Sequence, residues 1–228
     1  MDATSSLLDV IAFAWFVLAI GGYRLVSEWG PWRRRSIVAA VQAQRLRWMR
    51  NMAARDNRMI DGIVLSGLSQ GNAFFASTSG LAIGGLVALV GSGDQAQAFL
   101  ERVPYVAKSS PMLWEIKVVL LIAIFVYAFF KFAWAFRLSH YTGIMIGATP
   151  IATDSNTRDC EAHAERTADL IGIAAEHANS GLRAYYYAIA ALAWFFHPVL
   201  FMIAATWVIV ILARRDFFSR SLTVISGT

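Results

Sequence analysis

Residues 112–136 read MLWEIKVVLLIAIFVYAFFKFAWAF, and this stretch decides the fold. It is longer than the roughly 20 helical residues that cross the hydrocarbon core of a bilayer, and only Glu115, Lys117 and Lys131 are charged. Lipid offers no hydrogen-bond partner to backbone N–H and C=O groups, so such a segment must be helical. Ser110-Pro111, just before it, is typical of an N-cap followed by a first helical turn. The stretch therefore predicts a transmembrane helix.

Three further stretches are long and apolar enough to cross a bilayer, near residues 5–26, 62–90 and 184–213. None shows the alternation of period two that marks a barrel strand. Over the whole chain 57% of the residues are hydrophobic and 15% are charged, against about 45–50% and about 25% in soluble domains. We therefore predict an all-α integral membrane helical bundle with four transmembrane helices, folded as a single membrane domain over residues 1–228.

The arginines predict how this bundle is oriented. The segment 24–58 holds nine arginines, and short loops rich in Lys and Arg stay in the cytoplasm. We therefore predict that this segment is cytoplasmic, and four spans then place both termini outside. The pair Arg214-Arg215, which follows the fourth span, opposes this placement. The net charge of +5 favours contact with anionic lipid over contact with nucleic acid.

Two segments on the predicted cytoplasmic side are expected to be helical extensions, near residues 35–60 and 155–183. The first is basic and amphipathic, whereas the second carries acidic flanks around a seam of small residues. We predict that the two pack antiparallel below the membrane. The basic helix either packs on such a neighbour or lies among the headgroups, where it would bind anionic lipid through Arg33, Arg34, Arg35, Arg45 and Arg47.

The second span carries a stripe of small and polar residues on one helical face. Its members recur at spacings of three, four and seven and are Ser66, Gln70, Ser77, Gly80 and Gly84. Small residues at such spacings permit close packing between membrane helices. The other interpretation is a pore-lining face, because Gln70 and Ser77 would offer polar groups at depth.

Ionisable residues within or beside the spans are candidate functional residues, because they are costly in a membrane. In the third span Lys117 and Lys131 lie on nearly the same face, where they would line an anion path or hold a lipid headgroup. The alternative is that both lysines snorkel to the interfaces. Glu115 is expected to pair with another span or to favour the first helical turn.

Arg137 and His140 follow the third span and are candidates for binding a headgroup or a carboxylate, or for anchoring the interface. His197 precedes Pro198 in the predicted fourth span, where proline would kink the helix. A histidine beside a kink is either structural or takes part in proton relay.

The sequence contains no recognisable catalytic or metal-binding motif. Asp159 and His163 share a helical face, yet the residues around them do not match a zinc-site spacing. The single cysteine, Cys160, has no partner for an internal disulfide. We therefore predict no catalytic residue, no metal and no cofactor.

Eight segments of the sequence carry a family resemblance: Tyr23-Arg24, 48–52, 72–78, 114–117, 129–137, 146–150, 181–187 and 194–198. Together they resemble the bacterial and plant multi-pass membrane family catalogued as domain of unknown function five-nine-nine. The resemblance spans nearly the whole chain and implies an integral membrane location, which we expect to be the bacterial inner membrane. The family brings no established reaction, ligand or site residues.

The polar stripe of span two and the cations of span three favour an oligomeric channel or transport-related protein. One alternative is an accessory or structural subunit of a larger membrane complex, docked through the small-residue faces and the charged helices. A further alternative is a lipid-modifying membrane enzyme that uses Glu115, Lys131, Arg137 or His197. The expected partners are the bilayer, anionic lipids, and either copies of the chain or a larger complex.

Overall fold

The structure, a computed structural model, describes residues 3–30, 35–91, 110–151, 153 and 156–227. These residues form helices and contain no strand. A single π-helical turn, Leu25–Trp29, continues the first helix, and a short 3₁₀ turn, Ala193–Phe195, follows the fifth. The helices are α1 (Ala3–Arg24), α2 (Ile37–Ala53), α3 (Met59–Gly91), α4 (Pro111–Gly147), α5 (Thr157–Leu192), α6 (Pro198–Phe217) and α7 (Arg220–Ser226).

Four segments are long and apolar enough to cross a membrane, which confirms the predicted all-α membrane bundle. They are Leu7–Ser27, Met59–Gly91, Pro111–Gly147 and Pro198–Ser226. The predicted start of the third is also found, because the Ser110 hydroxyl accepts a hydrogen bond from the Leu113 N–H at 3.2 Å. This helix continues to Gly147, so Arg137 and His140 lie within it and not beyond its end.

The centre of the bundle is the pair α4 and α5, which run antiparallel along almost their whole length. His163 and Met145 meet at one end, where the His163 Nε2 atom lies 2.8 Å from the Met145 carbonyl oxygen. At the other end the Lys117 ammonium lies 5.5 Å from the centre of the Trp194 ring. α3 packs antiparallel on α4, because Leu65 lies beside Gly143 whereas Phe75, further along α3, stacks on the earlier residue Phe132.

The predicted fourth span, 184–213, is wrong as a single helix. Residues up to Leu192 belong to α5, the chain turns at 193–197, and α6 begins at Pro198. Pro198 therefore starts a helix, where its missing N–H costs nothing, and does not kink one. Within the described residues five helices, α1, α3, α4, α5 and α6, consequently run along the bundle.

The start of α1 and the end of the described chain lie at opposite ends of the bundle. α1 and α6 run parallel, because Trp15 donates to Thr206 at 3.0 Å and Tyr23 donates to Asp216 at 2.6 Å. The C-terminal helix α7 therefore lies beside α2, at the opposite end of the bundle from the start of α1. We call the end that holds α2 and α7 the basic end, and the other the far end.

The predicted helix over 35–60 is interrupted. α2 ends at Ala53, and the chain turns before α3 begins at Met59. The carboxylate of Asp61, only 1% exposed, fixes this turn by accepting hydrogen bonds from Trp48 at 2.7 Å and Arg55 at 2.8 Å. The helix is therefore interrupted by a tertiary contact, and the spacing of apolar residues along the sequence does not reveal that contact.

The acidic first half of α5 does pair with the basic α2, as its charge pattern predicts. Arg50 forms salt bridges of 3.0 Å with both Glu161 and Glu165. Eight residues earlier on α2, Gln42 contacts Asp169 at 3.4 Å, so the two helices are antiparallel. These pairs are about half exposed, so each adds about 0–1 kcal/mol and serves mainly to set the register.

Close packing between α4 and α5 depends on Gly181. A Cβ atom added there would lie 2.6 Å from the Phe132 ring, which is itself buried. We expect Gly181→Ala to lower the free energy of unfolding by about 1–3 kcal/mol, although alanine is the better helix former. The measurement is thermal unfolding in mild detergent.

Gly62→Ala is the matched control, since a Cβ atom there meets nothing within 4 Å. It should leave stability unchanged or raise it slightly. Equal melting temperatures for the two variants would show that the α4–α5 contact is looser than described.

Candidate functional site

The polar stripe of α3 lies on the outside of the bundle. Ser66, Gln70, Ser77, Gly80 and Gly84 are all exposed, and Gln70 contacts only Ser66, at 3.5 Å, within the described residues. α3 faces the bundle with other positions: the buried Leu65 side chain lies beside Gly143 of α4, and the buried Ser79 hydroxyl lies 2.9 Å from the Tyr185 hydroxyl of α5. The stripe is therefore a face that no other described helix covers.

Lys117 does not snorkel but is buried inside the far half of the bundle. Its side chain is 2% exposed, and its ammonium lies 3.9 Å from the Asp9 carboxylate. The same carboxylate accepts a 2.6 Å hydrogen bond from the indole of Trp194. One cluster therefore joins α1, α4 and the end of α5, and an ion pair in such a dry setting is stable only as a pair.

The other candidate residues of this end are exposed. Glu115 lies on the outer surface of α4. His197 lies at the turn between α5 and α6, where its Nδ1 atom accepts a 3.1 Å hydrogen bond from the Val199 N–H and caps α6. His197 therefore has a structural role, which is to cap the first turn of α6.

Arg137 and His140 lie on the exposed side of α4 towards the basic end and contact only their own helix within the described residues. Arg137 donates to the Tyr141 hydroxyl at 3.0 Å and covers its ring. The His140 Nδ1 atom lies 3.0 Å from the Phe136 carbonyl oxygen. Both contacts suit residues at a membrane interface.

A second buried charged cluster was missed by the sequence analysis. Asp216, at the end of α6, accepts hydrogen bonds from Tyr23 at 2.6 Å, Arg183 at 2.8 Å and Arg215 at 3.0 Å. The guanidinium of Arg183 also lies over the Tyr23 ring at 5.3 Å. The only hint in the sequence is an acidic residue directly after an arginine pair at the end of an apolar run.

Arg183 also lines a cleft between α1, α4 and α5, which we call the basic cleft. It has two adjoining chambers that share Arg24, Ser180 and Arg183. The larger, of about 590 Å³, is polar, and Lys131 and His177 are among its walls. The smaller, of about 260 Å³, is mostly apolar and is lined by Ile20, Arg24, Ala123, Ile124, Tyr127, Ser180, Arg183, Ala184 and Tyr187.

Cations from three helices converge on this cleft. The guanidinium of Arg24, on α1, lies 5.9 Å from the centre of the Tyr127 ring, and the ammonium of Lys131 lies 5.4 Å from the same centre. Lys131 also lies 3.5 Å from the Nδ1 atom of His177. Positive charges gathered beside a low-dielectric wall repel one another and attract an anion.

The arginines predicted to contact anionic lipid lie in different settings. Arg35 and Arg47 are exposed, whereas Arg45 is half-buried on α2 near Glu176 of α5. Burial lowers the pKa of Arg45, and the Glu176 carboxylate opposes that shift. Arg33 and Arg34 lie outside the described residues.

The described residues contain no group of three His, Cys, Asp or Glu side chains placed to hold a metal ion. His163 contacts the Met145 carbonyl oxygen, and Cys160 is buried. The chemistry that the cleft offers is therefore recognition by charge and hydrogen bonding beside an apolar surface.

These features define a helical membrane bundle with buried charge clusters and a basic cleft near one end. The family model described as "Protein of unknown function, DUF599" matches residues 11–221, so the chain belongs to this family. No curated protein and no solved structure matches the chain.

The Asp9–Lys117 pair can be tested by removing its members singly and together. Lys117→Met leaves the carboxylate of Asp9 buried without its cation, so we expect a loss of about 3–5 kcal/mol of stability. The double variant Asp9→Asn with Lys117→Met should lose clearly less than the two single variants combined. Thermal unfolding in mild detergent measures all three.

Glu115→Gln changes an exposed charge two residues away and is the control, with no expected effect. Strictly additive losses for Asp9 and Lys117 would contradict the pairing.

Proposed function

We propose that this protein binds an anionic membrane lipid in the basic cleft. The phosphate would lie among Arg24, Lys131 and Arg183, and an acyl chain would occupy the apolar chamber. The supporting observation is that a polar chamber walled by cations adjoins an apolar chamber and shares three residues with it. A small anion without an acyl chain would occupy only the polar chamber.

The placement of the cleft in the bundle favours a lipid as the ligand. α1 packs mainly on α6, so the apolar chamber lies where α1 stands apart from α4. Its residues Ile20 and Ile124 come from segments long enough to cross the membrane. An acyl chain entering from the bilayer would therefore exchange one apolar environment for another, and its transfer would cost little.

The proposed orientation puts the cleft in the inner leaflet. Five passes along the bundle would place the N-terminus outside and the C-terminus in the cytoplasm. Arg214 and Arg215 would then lie on the same side as the arginines of α2, which is the arrangement that basic residues prefer. The predicted cytoplasmic placement of the segment 24–58 is kept in this proposal, and only the C-terminus changes side.

Neutralising the cations of the cleft should release the lipid. We expect Lys131→Gln and Arg24→Gln each to lower retention of anionic phospholipid about tenfold, because each removes one charge-assisted hydrogen bond worth about 1.5–3 kcal/mol. Native mass spectrometry of protein released from mild detergent measures the retained lipid directly.

Arg137→Gln is the matched control, because Arg137 is an exposed cation of α4 outside the cleft walls. It should retain lipid as the unmodified protein does. Soluble glycerol phosphate should not displace the lipid, and displacement would mean that the site takes a free phosphate ester. Equal retention by all three variants would overturn the proposal.

A second candidate function is an oligomeric channel built on α3. It is favoured by one observation, namely that the polar stripe of α3 is exposed in the single chain. Several copies arranged around an axis would bury this stripe or line a path with it. The antiparallel register against α4 places Gln70 near the level of Arg137, so the polar end of such a path would lie towards the basic end.

Replacing Gln70 and Ser77 with leucine tests this second candidate. We expect the double variant to abolish any ion flux in reconstituted vesicles, since an apolar stripe offers nothing to a hydrated ion. Val87→Leu, at an exposed apolar position of the same helix, is the control. Undiminished flux in the double variant would exclude α3 as the lining.

The structure scatters the residues of the proposed lipid-modifying enzyme. Glu115 and His197 lie towards the far end of the bundle, whereas Lys131 and Arg137 lie about ten or more residues of helix away, towards the basic end. These four groups therefore do not meet in one site, and each would have to act separately from the others. The accessory-subunit hypothesis stays open, and a gentle pull-down that returns the protein alone would count against it.

A further inference from the structure

The polar chamber of the basic cleft contains more than cations. Glu176 and Asn179, both on α5, line it together with Lys131 and Arg183. Within the described residues the side chain of Asn179 makes no hydrogen bond, so its amide can serve a ligand with both donor and acceptor atoms. A carboxylate and an amide therefore border the same space as the cations.

A carboxylate at an anion site needs an explanation, because it repels phosphate. Glu176 lies near Arg45 of α2, and this guanidinium offsets part of its charge. The carboxylate oxygens of Glu176 can also accept hydrogen bonds from a ligand in the chamber. A ligand that carries hydroxyl donors beside its phosphate would satisfy both the carboxylate and the cations.

The size of the chamber agrees with a headgroup larger than phosphate. The volume of the chamber, about 590 Å³, is many times the roughly 30 Å³ that one water molecule occupies in the liquid. Its wall also carries the hydroxyls of Ser27, Ser36 and Ser180. These neutral groups suit hydroxyl-bearing carbon atoms better than a second phosphate.

An ammonium group would also bind a carboxylate, but the surroundings disfavour it. Arg24, Lys131 and Arg183 line the same chamber as Glu176, and even with Arg183 paired to Asp216 two cations remain against this carboxylate. An ethanolamine headgroup would bring a further positive charge among these cations. A headgroup with a net negative charge and neutral hydroxyls avoids that repulsion.

We infer that the preferred lipid carries a hydroxyl-bearing headgroup on its phosphate, as phosphatidylglycerol does. This inference rests on the proposed function and adds the roles of single residues. Arg24 and Lys131 bind the phosphate, and Glu176 and Asn179 bind the headgroup hydroxyls. Asn179 and Glu176 are therefore specificity residues of the site.

The test is a competition between lipids with identical acyl chains. Protein in mild detergent is mixed with equimolar phosphatidylglycerol, phosphatidate and phosphatidylethanolamine, and native mass spectrometry counts the retained molecules. We expect phosphatidylglycerol to exceed phosphatidylethanolamine about tenfold and phosphatidate several-fold. Preference for phosphatidate or phosphatidylethanolamine in the unmodified protein would overturn the inference.

Two variants test whether Asn179 and Glu176 determine the preference for phosphatidylglycerol. Asn179→Ala should bring the ratio of phosphatidylglycerol to phosphatidate close to one while retention of phosphatidate stays unchanged. Glu176→Gln should also bring the ratio close to one, but with higher retention of phosphatidate, because it removes a charge that repels phosphate. Asn51→Ala, at an exposed position of α2 that is absent from the cleft walls, is the control and should keep the full ratio. A full ratio in both cleft variants would overturn the assignment of these residues.

The outcomes distinguish a failure of the headgroup preference from a failure of lipid binding itself. If anionic lipids bind and depend on Lys131 but show no headgroup preference, the inference fails and the proposed function stands. If no anionic lipid is retained in a Lys131-dependent way, the proposed function fails as well.

Discussion

The antiparallel pairing of α4 and α5 is the constraint on which the rest of the structure depends. In lipid there is little hydrophobic drive between helices, so close contact requires small residues that let side chains interlock. Gly181 meets the ring of Phe132 at such a contact, and the buried alanines Ala128 and Ala184 lie beside it. With this pair in place, α3 adds to one side of α4, while α2 covers the first half of α5 and α6 the second.

The first helix is held in a different way, by polar groups near its two ends. Asp9 joins Lys117 and Trp194 towards the far end, and Tyr23 joins Asp216 towards the basic end. Between these attachments α1 packs mainly on α6, so a space remains against α4 and α5. The basic cleft is therefore a consequence of how α1 is anchored, and Arg24 reaches it because it lies one residue beyond Tyr23.

The helical bundle could be predicted because span length and hydropathy are local properties of a sequence. The fourth span was misplaced because residues 184–213 are apolar on both sides of Pro198, and a membrane helix can tolerate a proline. The turn at 193–197 reverses the direction of α6 and so moves the C-terminus to the opposite end. In the sequence the pair Arg214-Arg215 opposed an outer location, and the proposed orientation removes this conflict.

The site could be predicted only in part. Lys131 was a candidate residue for an anion path or a lipid headgroup, with snorkelling as the alternative, because its position on an apolar helix is visible in the sequence. Arg24 and Arg183 were not, since their convergence depends on how three helices meet. The partner of Lys117 is likewise 108 positions away, at Asp9, and no local pattern links the two.

Photo-crosslinking in native membranes tests the central claim most directly. A photoreactive residue at Ile124 would lie in the apolar chamber, whereas one at Val119, which is 57% exposed on the same helix, would face bulk lipid. Mass spectrometry of the adducts then gives the lipid composition at each position. The account predicts strong enrichment of anionic lipid at Ile124 relative to Val119, and equal compositions at the two positions would contradict it.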